Sequence, residues 1–185
     1  AWGKSYGEDQ VIGDPNIKNN QQLLRGKVLR GVRMDGDIDL ALKFCFDNNV
    51  PVNPNEKTYD PDALNLSYAK DFLGAVVDYN NNQRETRKIV RNGKTAGDTT
   101  VGFDLVATWT PGDVNAIAKG RGGATIISTK IYASVMPAIC ITSKKFLNDN
   151  RDKLGDLIAA AATAGDQIRT YEDVKKFACG LNAKI

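Results

Sequence analysis

Short apolar runs along the chain alternate with segments whose apolar residues have helical spacing. Residues 28–34 alternate as a strand does, and apolar residues then fall at positions 38, 41, 42, 45 and 46, which is the spacing of one helix face. A second run of strand type ends at Trp109 and passes directly into Pro111-Gly112-Asp113, and a third occupies residues 124–130. Strands interleaved with helices in this order predict an α/β fold with a sheet of mixed direction.

Two segments with strong turn signals predict a hairpin and a further helix. Residues 86–91 and 94–95 flank Asn92-Gly93, a dipeptide that favours the tight turn of a β-hairpin. Asp60-Pro61-Asp62 combines a cap, a proline at the first helical position and an acid in the first turn. It therefore predicts the start of a helix whose apolar face extends from Leu64 to Tyr79.

The pattern divides the chain into three parts. Residues 1–26 are polar and rich in turn residues, which predicts a segment that wraps the surface. Residues 27–142 contain the alternation of strands and helices and predict an α/β lobe. Residues 143–185 contain helical patterns and predict helices that pack on this lobe.

Polar residues cluster where three of the predicted strands end. Parallel neighbouring strands finish at the same edge of a sheet, so we expect these clusters to converge on one rim. Hydroxyls, helix N–H groups and a flat indole could hold a small polar ligand there, and the carboxylates favour one with cationic or hydroxyl character. The candidate ligand-binding residues are Asp35, Gly36, Asp37, Trp109, Thr110, Asp113, Ser128 and Thr129.

A purely structural role remains open for several of these residues. Asp35 or Asp37 can cap the helix that follows the first strand, and Thr110 can cap the helix that begins with Pro111. Trp109 is in phase with the apolar residues that precede it, so it could instead pack in the core.

Residue counts exclude several kinds of chemistry. The 185 residues include no histidine, which removes Ser-His-Asp, Cys-His and zinc–histidine sites together. Cys45, Cys140 and Cys179 are an odd number and lie among apolar neighbours, which predicts buried free thiols. Carboxylate-only chemistry or a hard-metal site is left open, but no nucleophile with an activating base is evident. We therefore expect a protein that is not an enzyme and that carries no cofactor and no metal.

The charge pattern indicates neither nucleic acid nor a membrane as a direct partner. The net charge is +3, and the Lys and Arg residues are scattered among acids. No apolar run approaches the roughly 20 residues of a transmembrane helix. We expect no nucleic-acid binding and no direct membrane insertion.

Several motifs carry a resemblance to a known family. They are RGVRMDGD at residues 30–37, YDPDALN at 59–65, TWTPGDVN at 108–115, STK at 128–130, MP at 136–137 and FLNDN at 146–150. With them, nearly the whole chain resembles one lobe of a type-2 periplasmic solute-binding protein. More narrowly, it resembles the phosphate-type ABC-transporter substrate-binding family that is named with outer-membrane-protein-A-like (OmpA-like) modules.

This resemblance implies a three-layer α/β/α lobe that closes on a second lobe of the same parent protein, with a small polar solute between them. It also implies the periplasm of the bacterial cell envelope as the location and a membrane permease as a further partner. A chain of this length has room for one such lobe, and a lone half-site should bind solute weakly. The alternative interpretation is a ligand-free structural or interaction domain of a cell-envelope protein of the OmpA family.

Overall fold

The computed structural model describes residues 3–91, 93–119, 121–132 and 136–182, which form two compact units, Ala1–Ile139 and Cys140–Ile185. The strands are β1 (Gly3–Lys4), β2 (Gln10–Gly13), β3 (Val28–Val32), β4 (Val52–Asn53), β5 (Thr58–Tyr59), β6 (Leu64–Ala69), β7 (Arg84–Arg91), β8 (Lys94–Gly102), β9 (Leu105–Thr108), β10 (Ala124–Ser128) and β11 (Pro137–Ala138). The helices are α1 (Gly36–Asp47), α2 (Phe72–Asn80), α3 (Gly112–Ala118), α4 (Lys144–Asp149), α5 (Arg151–Thr170) and α6 (Glu172–Asn182). Two 3-10 turns, Pro15–Lys18 and Gln21–Leu24, connect β2 to β3.

The first unit is built on a six-stranded mixed sheet with the order β10-β2-β9-β3-β6-β4. β3 is parallel to β6 and to β9, and β4 is parallel to β6. β2 is antiparallel to both β9 and β10, so β10 runs in the same direction as β9. Five strands therefore end at one edge of the sheet, which we call the carboxyl edge, and β2 begins there. The predicted α/β class with a sheet of mixed direction is confirmed.

Helices cover both faces of this sheet. Val11 of β2 and Leu29 of β3 pack with Ile38 of α1 on one face. On the other face, Ile12 packs with Val76 of α2 and with residues of α3. Successive residues of β2 thus enter opposite cores, as the two-residue period of a strand requires.

The hairpin follows the sequence prediction. β7 and β8 pair antiparallel around the predicted turn, with Arg91 opposite Lys94; Asn92 lies outside the described residues. β4 occupies one end of the six-stranded order, a position at which the adjacent Pro51 is tolerated. With β5, the hairpin forms a separate three-stranded sheet.

A buried arginine ties the hairpin to the main sheet. Arg87 of β7 is 1% exposed and donates to the carbonyl oxygen of Leu66 in β6 at 3.0 Å and to that of Thr58 at 3.3 Å. It also forms an ion pair with Glu85. A buried guanidinium is tolerated because its donors are paired in this way.

Two predictions for the first half of the chain are wrong. Residues 1–26 do not simply wrap the surface, because β2 lies inside the sheet and Ile12 and Ile17 are buried. The predicted helix from Leu64 to Tyr79 is instead β6 followed by α2. The start signal at Asp60-Pro61-Asp62 forms a turn, in which the Asp60 carboxylate accepts from the Asp62 N–H at 2.8 Å.

The apolar run before Trp109 also divides differently from the prediction. β8 ends at Gly102 in the hairpin sheet, and β9 starts at Leu105 in the main sheet. Between them, the Asp104 carboxylate accepts from the Val28 N–H at 2.9 Å. Asp104 therefore joins two strands that the alternation alone presents as one.

The second unit consists of α4, α5 and α6. α5 and α6 pack against each other, and no described residue of this unit is buried. α5 continues without a break through Gly165, and within residues 137–142 only Pro137–Ala138 forms a strand, which pairs with β1. The packing of residues 143–185 on the lobe stays a prediction.

The cysteine prediction holds at one of three positions. Cys45 is buried, and burial raises the pKa of its thiol to about 12. Cys140 and Cys179 are exposed, so the prediction of buried thiols is wrong for them. Their apolar neighbours, such as Ile141 and Phe177, are themselves exposed.

Asn65 offers a test of this architecture. Its side chain is fully buried and accepts from the Asp60 N–H at 2.7 Å, while its amide nitrogen donates to the carbonyl oxygens of Asp60 and Ala63 at 2.9 and 3.0 Å. Asn65→Ala leaves these buried groups unpaired, and we expect it to lower the free energy of unfolding by about 2–3 kcal/mol. Urea denaturation measures this, with the exposed Asn16→Ala as the control. A loss no larger than that of the control would contradict the role given to Asn65.

Candidate functional site at the carboxyl edge

The structure brings all three predicted clusters to the carboxyl edge. Asp35, Gly36 and Asp37 follow β3, Trp109 to Asp113 follow β9, and Ser128 and Thr129 close β10. Gln10 of β2 pairs with Thr108 on one side and with Ser128 on the other, so the last residues of β9 and β10 are level. The expected convergence on one rim is therefore present in the fold.

The clusters divide by exposure into two groups. Trp109 and Thr110 are exposed, and Asp35, Gly36 and Ser128 are half-buried. The buried candidates, at 2%, 7% and 0% exposure, are Asp37, Asp113 and Thr129. Only the first group can touch a solute directly without rearrangement of the edge.

Asp35, one of the two aspartates that the sequence offers as a cap, caps α1. Its side chain accepts from the Gly36 N–H at 2.7 Å, and Asp37 and Asp39 add negative charge to the first turn. A Cβ atom at Gly36 would lie 1.8 Å from the Met136 sulfur, so the Met136 side chain lies directly on the first residue of α1. The first turn of α1 is thus capped by a carboxylate and covered by a thioether.

Asp37 is a carboxyl group that the fold keeps neutral. Burial raises its pKa to about 9, with further contributions from the side chain and charge of Asp9 and from the charge of Asp35. Asp9 is itself only 8% exposed. One Asp37 oxygen, Oδ1, is buried without a hydrogen-bond partner among the described residues. Near neutral pH, this acid therefore carries a proton and no charge.

Asp113 lies on the other face of the sheet from Asp37, where side chains of the sheet bind it. Gln10 Nε2 donates to Asp113 Oδ2 at 2.6 Å, and the Thr125 hydroxyl donates to Gln10 Oε1 at 2.5 Å. Asp113 Oδ1 has no partner in the described part of the chain. The Gln10 side chain therefore links β2, β10 and α3 beneath the rim.

The expected capping of α3 by Thr110 is wrong. α3 begins at Gly112, Pro111 occupies the cap position, and no side-chain cap bond is formed. The Thr110–Pro111 peptide is cis. Thr110 is exposed on the rim, and no side chain caps α3.

Thr129 anchors the start of the chain to the edge. Its hydroxyl accepts from the Gly7 N–H at 2.8 Å and pairs with the Ser5 hydroxyl at 2.7 Å, and its own N–H donates to the Asp9 carbonyl at 3.1 Å. These contacts use the polar groups of Thr129 inside the protein. Ser5, Asp9 and Gln10 also belong to this edge, and no sequence motif indicated them, although Asp9-Gln10 directly precedes the apolar pair of β2.

Trp109 is not a core residue. Its indole is 46% exposed and lies 5.0 Å from the Phe72 ring, centroid to centroid, at an interplanar angle of 53°. Thr108 is the last buried residue of the run. Trp109 therefore presents a partly open aromatic surface on the rim.

A separate polar depression lies at the opposite edge of the sheet. Its volume is about 320 Å³, and its lining includes Arg121, Asp14 and Asp104. The Arg121 guanidinium lies 4.4 Å from the Tyr79 ring centroid and donates to the Phe103 carbonyl at 3.1 Å. These contacts hold Arg121 within the fold, away from the predicted site.

Across residues 3–91, 93–119, 121–132 and 136–182, no cluster of three acidic or cysteine side chains has a geometry that could hold a metal ion. None of the helices in this part of the chain is long and apolar enough to cross a membrane.

Comparison with protein-family models, with curated proteins and with solved structures found no match to this chain. The function of the carboxyl edge is therefore inferred from the chain's own residues and from the motifs they form.

The neutral state of Asp37 predicts a pH dependence of stability. Because the folded pKa is raised, stability from this group is full below the usual Asp range near pH 4 and is lost as the pH rises toward about 9. Asp37→Asn keeps the shape and cannot ionise, so we expect it to be more stable than the wild type by at least about 1 kcal/mol at pH 8.

Chemical denaturation at several pH values between 4 and 9 measures this effect. The control is Asp39→Asn, which changes an exposed acid in the same helical turn. If the stability of the wild type and that of Asp37→Asn depend on pH in the same way, Asp37 is ionised in the folded protein.

Proposed function

We propose that this chain is a non-catalytic solute-binding lobe, which holds a small polar solute at the carboxyl edge of its sheet. The observation that supports this most is the common direction of β3, β9 and β10, which places three polar segments on one rim. Ligands of open α/β sheets settle beyond the carboxyl ends of the strands, where loops and helix starts supply polar groups.

The exposure of each residue separates contact roles from supporting ones in this proposal. Asp35, Trp109, Thr110 and Ser128 contact the solute: the indole supplies a flat wall, and the hydroxyls and the half-buried carboxylate supply hydrogen bonds. Asp37, Asp113 and Thr129 lie beneath and hold the segments in position.

Among the four residues that are given contact roles, Asp35 is the one with an acidic side chain. Asp37 carries a proton near neutral pH, and its neighbour Asp35 remains half-buried at the cap of α1. A half-buried carboxylate on the same rim as an aromatic wall suits a solute with hydroxyl or cationic groups better than an oxyanion.

The resemblance of the motifs extends the proposal beyond this chain. The solute would be closed in by a second lobe of the same parent protein, in the periplasm of a bacterial cell envelope, and delivered to a membrane permease. A single rim buries only part of a small ligand, so the lobe alone should bind its solute weakly. No cofactor or metal takes part in this proposal.

The second candidate is a structural or interaction domain of a cell-envelope protein of the OmpA family that binds no solute. The observation that favours it is the internal use of the polar groups at the edge. Thr129 is bonded to the Ser5 and Gly7 segment, Asp113 is bonded to Gln10, and Met136 covers the start of α1.

A thermal-shift screen at millimolar solute concentrations separates the two candidates. The panel contains polyols and sugars, amino acids, polyamines and inorganic phosphate. We expect one hydroxyl-bearing or cationic class to raise the melting temperature, because a ligand that binds only the folded state stabilises it. Trp109→Ala and Asp35→Asn should each weaken this binding about tenfold, the equivalent of 1.4 kcal/mol.

Two exposed residues of α1 provide matched controls. Phe46→Ala removes an exposed aromatic ring that does not belong to the rim, and Asp39→Asn neutralises an exposed acid of the first turn. Both should retain the shift. Stabilisation by no member of the panel, or a shift that survives Trp109→Ala and Asp35→Asn, would favour the structural domain.

A further inference from the structure

The loop between α3 and β10 lines the polar depression at the edge of the sheet opposite the carboxyl edge. Because β2 runs against β9 and β10, it ends at the edge where these two strands begin. Gly13 of β2 pairs with Ala124 of β10, so Asp14 and Gly123 both lie at this edge. Asp104, which directly precedes β9, belongs to it as well. Three separate segments of the chain therefore meet around the depression.

The glycines of this loop bring its backbone close to Tyr79. Gly122 has a φ of +70°, which favours glycine. A Cβ atom at Gly123 would lie 2.6 Å from the Tyr79 hydroxyl oxygen. Tyr79 is 2% exposed and lines the depression, and no described residue shares a hydrogen bond with its hydroxyl. Since buried polar groups normally have a partner, this hydroxyl is suited to bind a polar group in the depression.

Arg121 is held in place but has donors to spare. Its guanidinium stacks on the Tyr79 ring, and Nη1 donates to the carbonyl oxygens of Tyr79 and Phe103. In the described part of the chain, Nε has no acceptor, and Nη2 approaches only Asn82 Oδ1, at 3.5 Å. A guanidinium fixed in this way can bind a carboxylate through two parallel hydrogen bonds.

The acidic residues of the depression form no ion pair with Arg121. Asp14 has no ion-pair partner among the described residues, and one of its oxygens accepts from the Asn16 N–H at 2.9 Å. Asp104 lies 3.6 Å from Lys27 Nζ, and both of these side chains are well exposed. The depression therefore contains a positive group and negative groups that are not in contact with each other.

We propose that this depression binds a free amino acid in its zwitterionic form. The carboxylate of the ligand accepts from Arg121 and from the Tyr79 hydroxyl. Its ammonium group donates to Asp14, and Asp104 adds negative charge on the same side. An oxyanion such as phosphate would meet two carboxylates, and a polyamine would meet the guanidinium, so the arrangement disfavours both.

The size of the depression fits a ligand of this kind. Its volume of about 320 Å³ lies at the lower end of the range of small-molecule sites, roughly 300–1,000 Å³. Asp14, Arg121 and Gly122 are exposed, so a bound amino acid remains partly in water. We therefore expect a dissociation constant on the order of 1 mM. This site is separate from the carboxyl edge, and neither proposal depends on the other.

An NMR titration of the full chain with millimolar pools of L-amino acids tests the proposal. The backbone amide signals of Gly123 and Asp104 should shift, whereas the indole signal of Trp109 should not. The amino acid that binds is then compared with its N-acetyl and carboxamide derivatives. Each derivative lacks one of the two charges, so each should bind at least about tenfold more weakly.

Two variants each remove one charge from the depression. Arg121→Gln and Asp14→Asn should both weaken binding of the amino acid at least about tenfold. Asparagine keeps an oxygen that can accept from the Asn16 N–H, so Asp14→Asn retains the local turn. The N-acetyl derivative has no ammonium group, and it should therefore bind to Asp14→Asn no more weakly than to the wild type.

Arg91→Gln and Asp98→Asn are the matched controls, because they neutralise exposed residues of the β7–β8 hairpin and should leave binding unchanged. If no pool shifts the signals of Gly123 and Asp104, the proposal is wrong. It is also wrong if both derivatives bind as tightly as the amino acid, or if binding survives both charge-removing variants. Shifts of the Trp109 signals instead would assign the amino acid to the carboxyl edge.

Discussion

The reversed direction of β2 organises the first unit. β2 lies between β9 and β10 and runs against both, so these two strands point the same way although they are not neighbours. The ladder bonds of Gln10 then set their last residues level, with Thr108 on one side and Ser128 on the other. Without β2, nothing in the sheet would hold the polar residues that follow β9 and those that follow β10 at the same level.

The same strand makes the carboxyl edge less negative than its sequence suggests. Asp9, which directly precedes β2, interacts with Asp37 of α1, whereas Gln10, the first residue of β2, is bonded to Asp113 of α3 on the other face of the sheet. Asp9 faces Asp37 and helps to keep it protonated, while Gln10 binds Asp113 through its amide. The acidic side chains of these segments are therefore either hydrogen-bonded inside the protein, as Asp113 is, or neutral, as Asp37 is. Trp109 and Thr110 lie above them and are exposed.

The sequence predicts best those features that depend on neighbouring residues. Asp35 before an apolar helical pattern identifies the start of α1, and Asn92-Gly93 between alternating segments identifies the hairpin, because capping and turn formation are local. Prediction from the sequence fails where tertiary contacts determine the secondary structure. Asp60-Pro61-Asp62 has the chemistry of a helix start, yet the next residues enter the sheet as β6, where Asn65 is bonded on several sides.

Burial of polar groups is the part of the site that the sequence could not supply. A two-residue apolar pair, Val11-Ile12, gives little sign of an internal strand, so the contacts of Ser5, Asp9 and Gln10 went unpredicted. For the same reason, Asp37 and Asp113 could be recognised as residues at helix starts, but their internal partners could not.

The most direct test of the shared edge is a paramagnetic relaxation measurement by NMR. A spin label at Lys130→Cys, with the exposed Cys140 and Cys179 replaced by serine, lies just beyond the end of β10. Neighbouring strands are about 4.8 Å apart, so Trp109 and Asp35 lie only two and three strand spacings from that end. The fold requires their amide signals to be broadened more than those of Asp14 and Asp104 at the opposite edge. Stronger broadening of the Asp14 and Asp104 signals would show that β10 runs in the opposite direction. The three polar segments would then not share one rim.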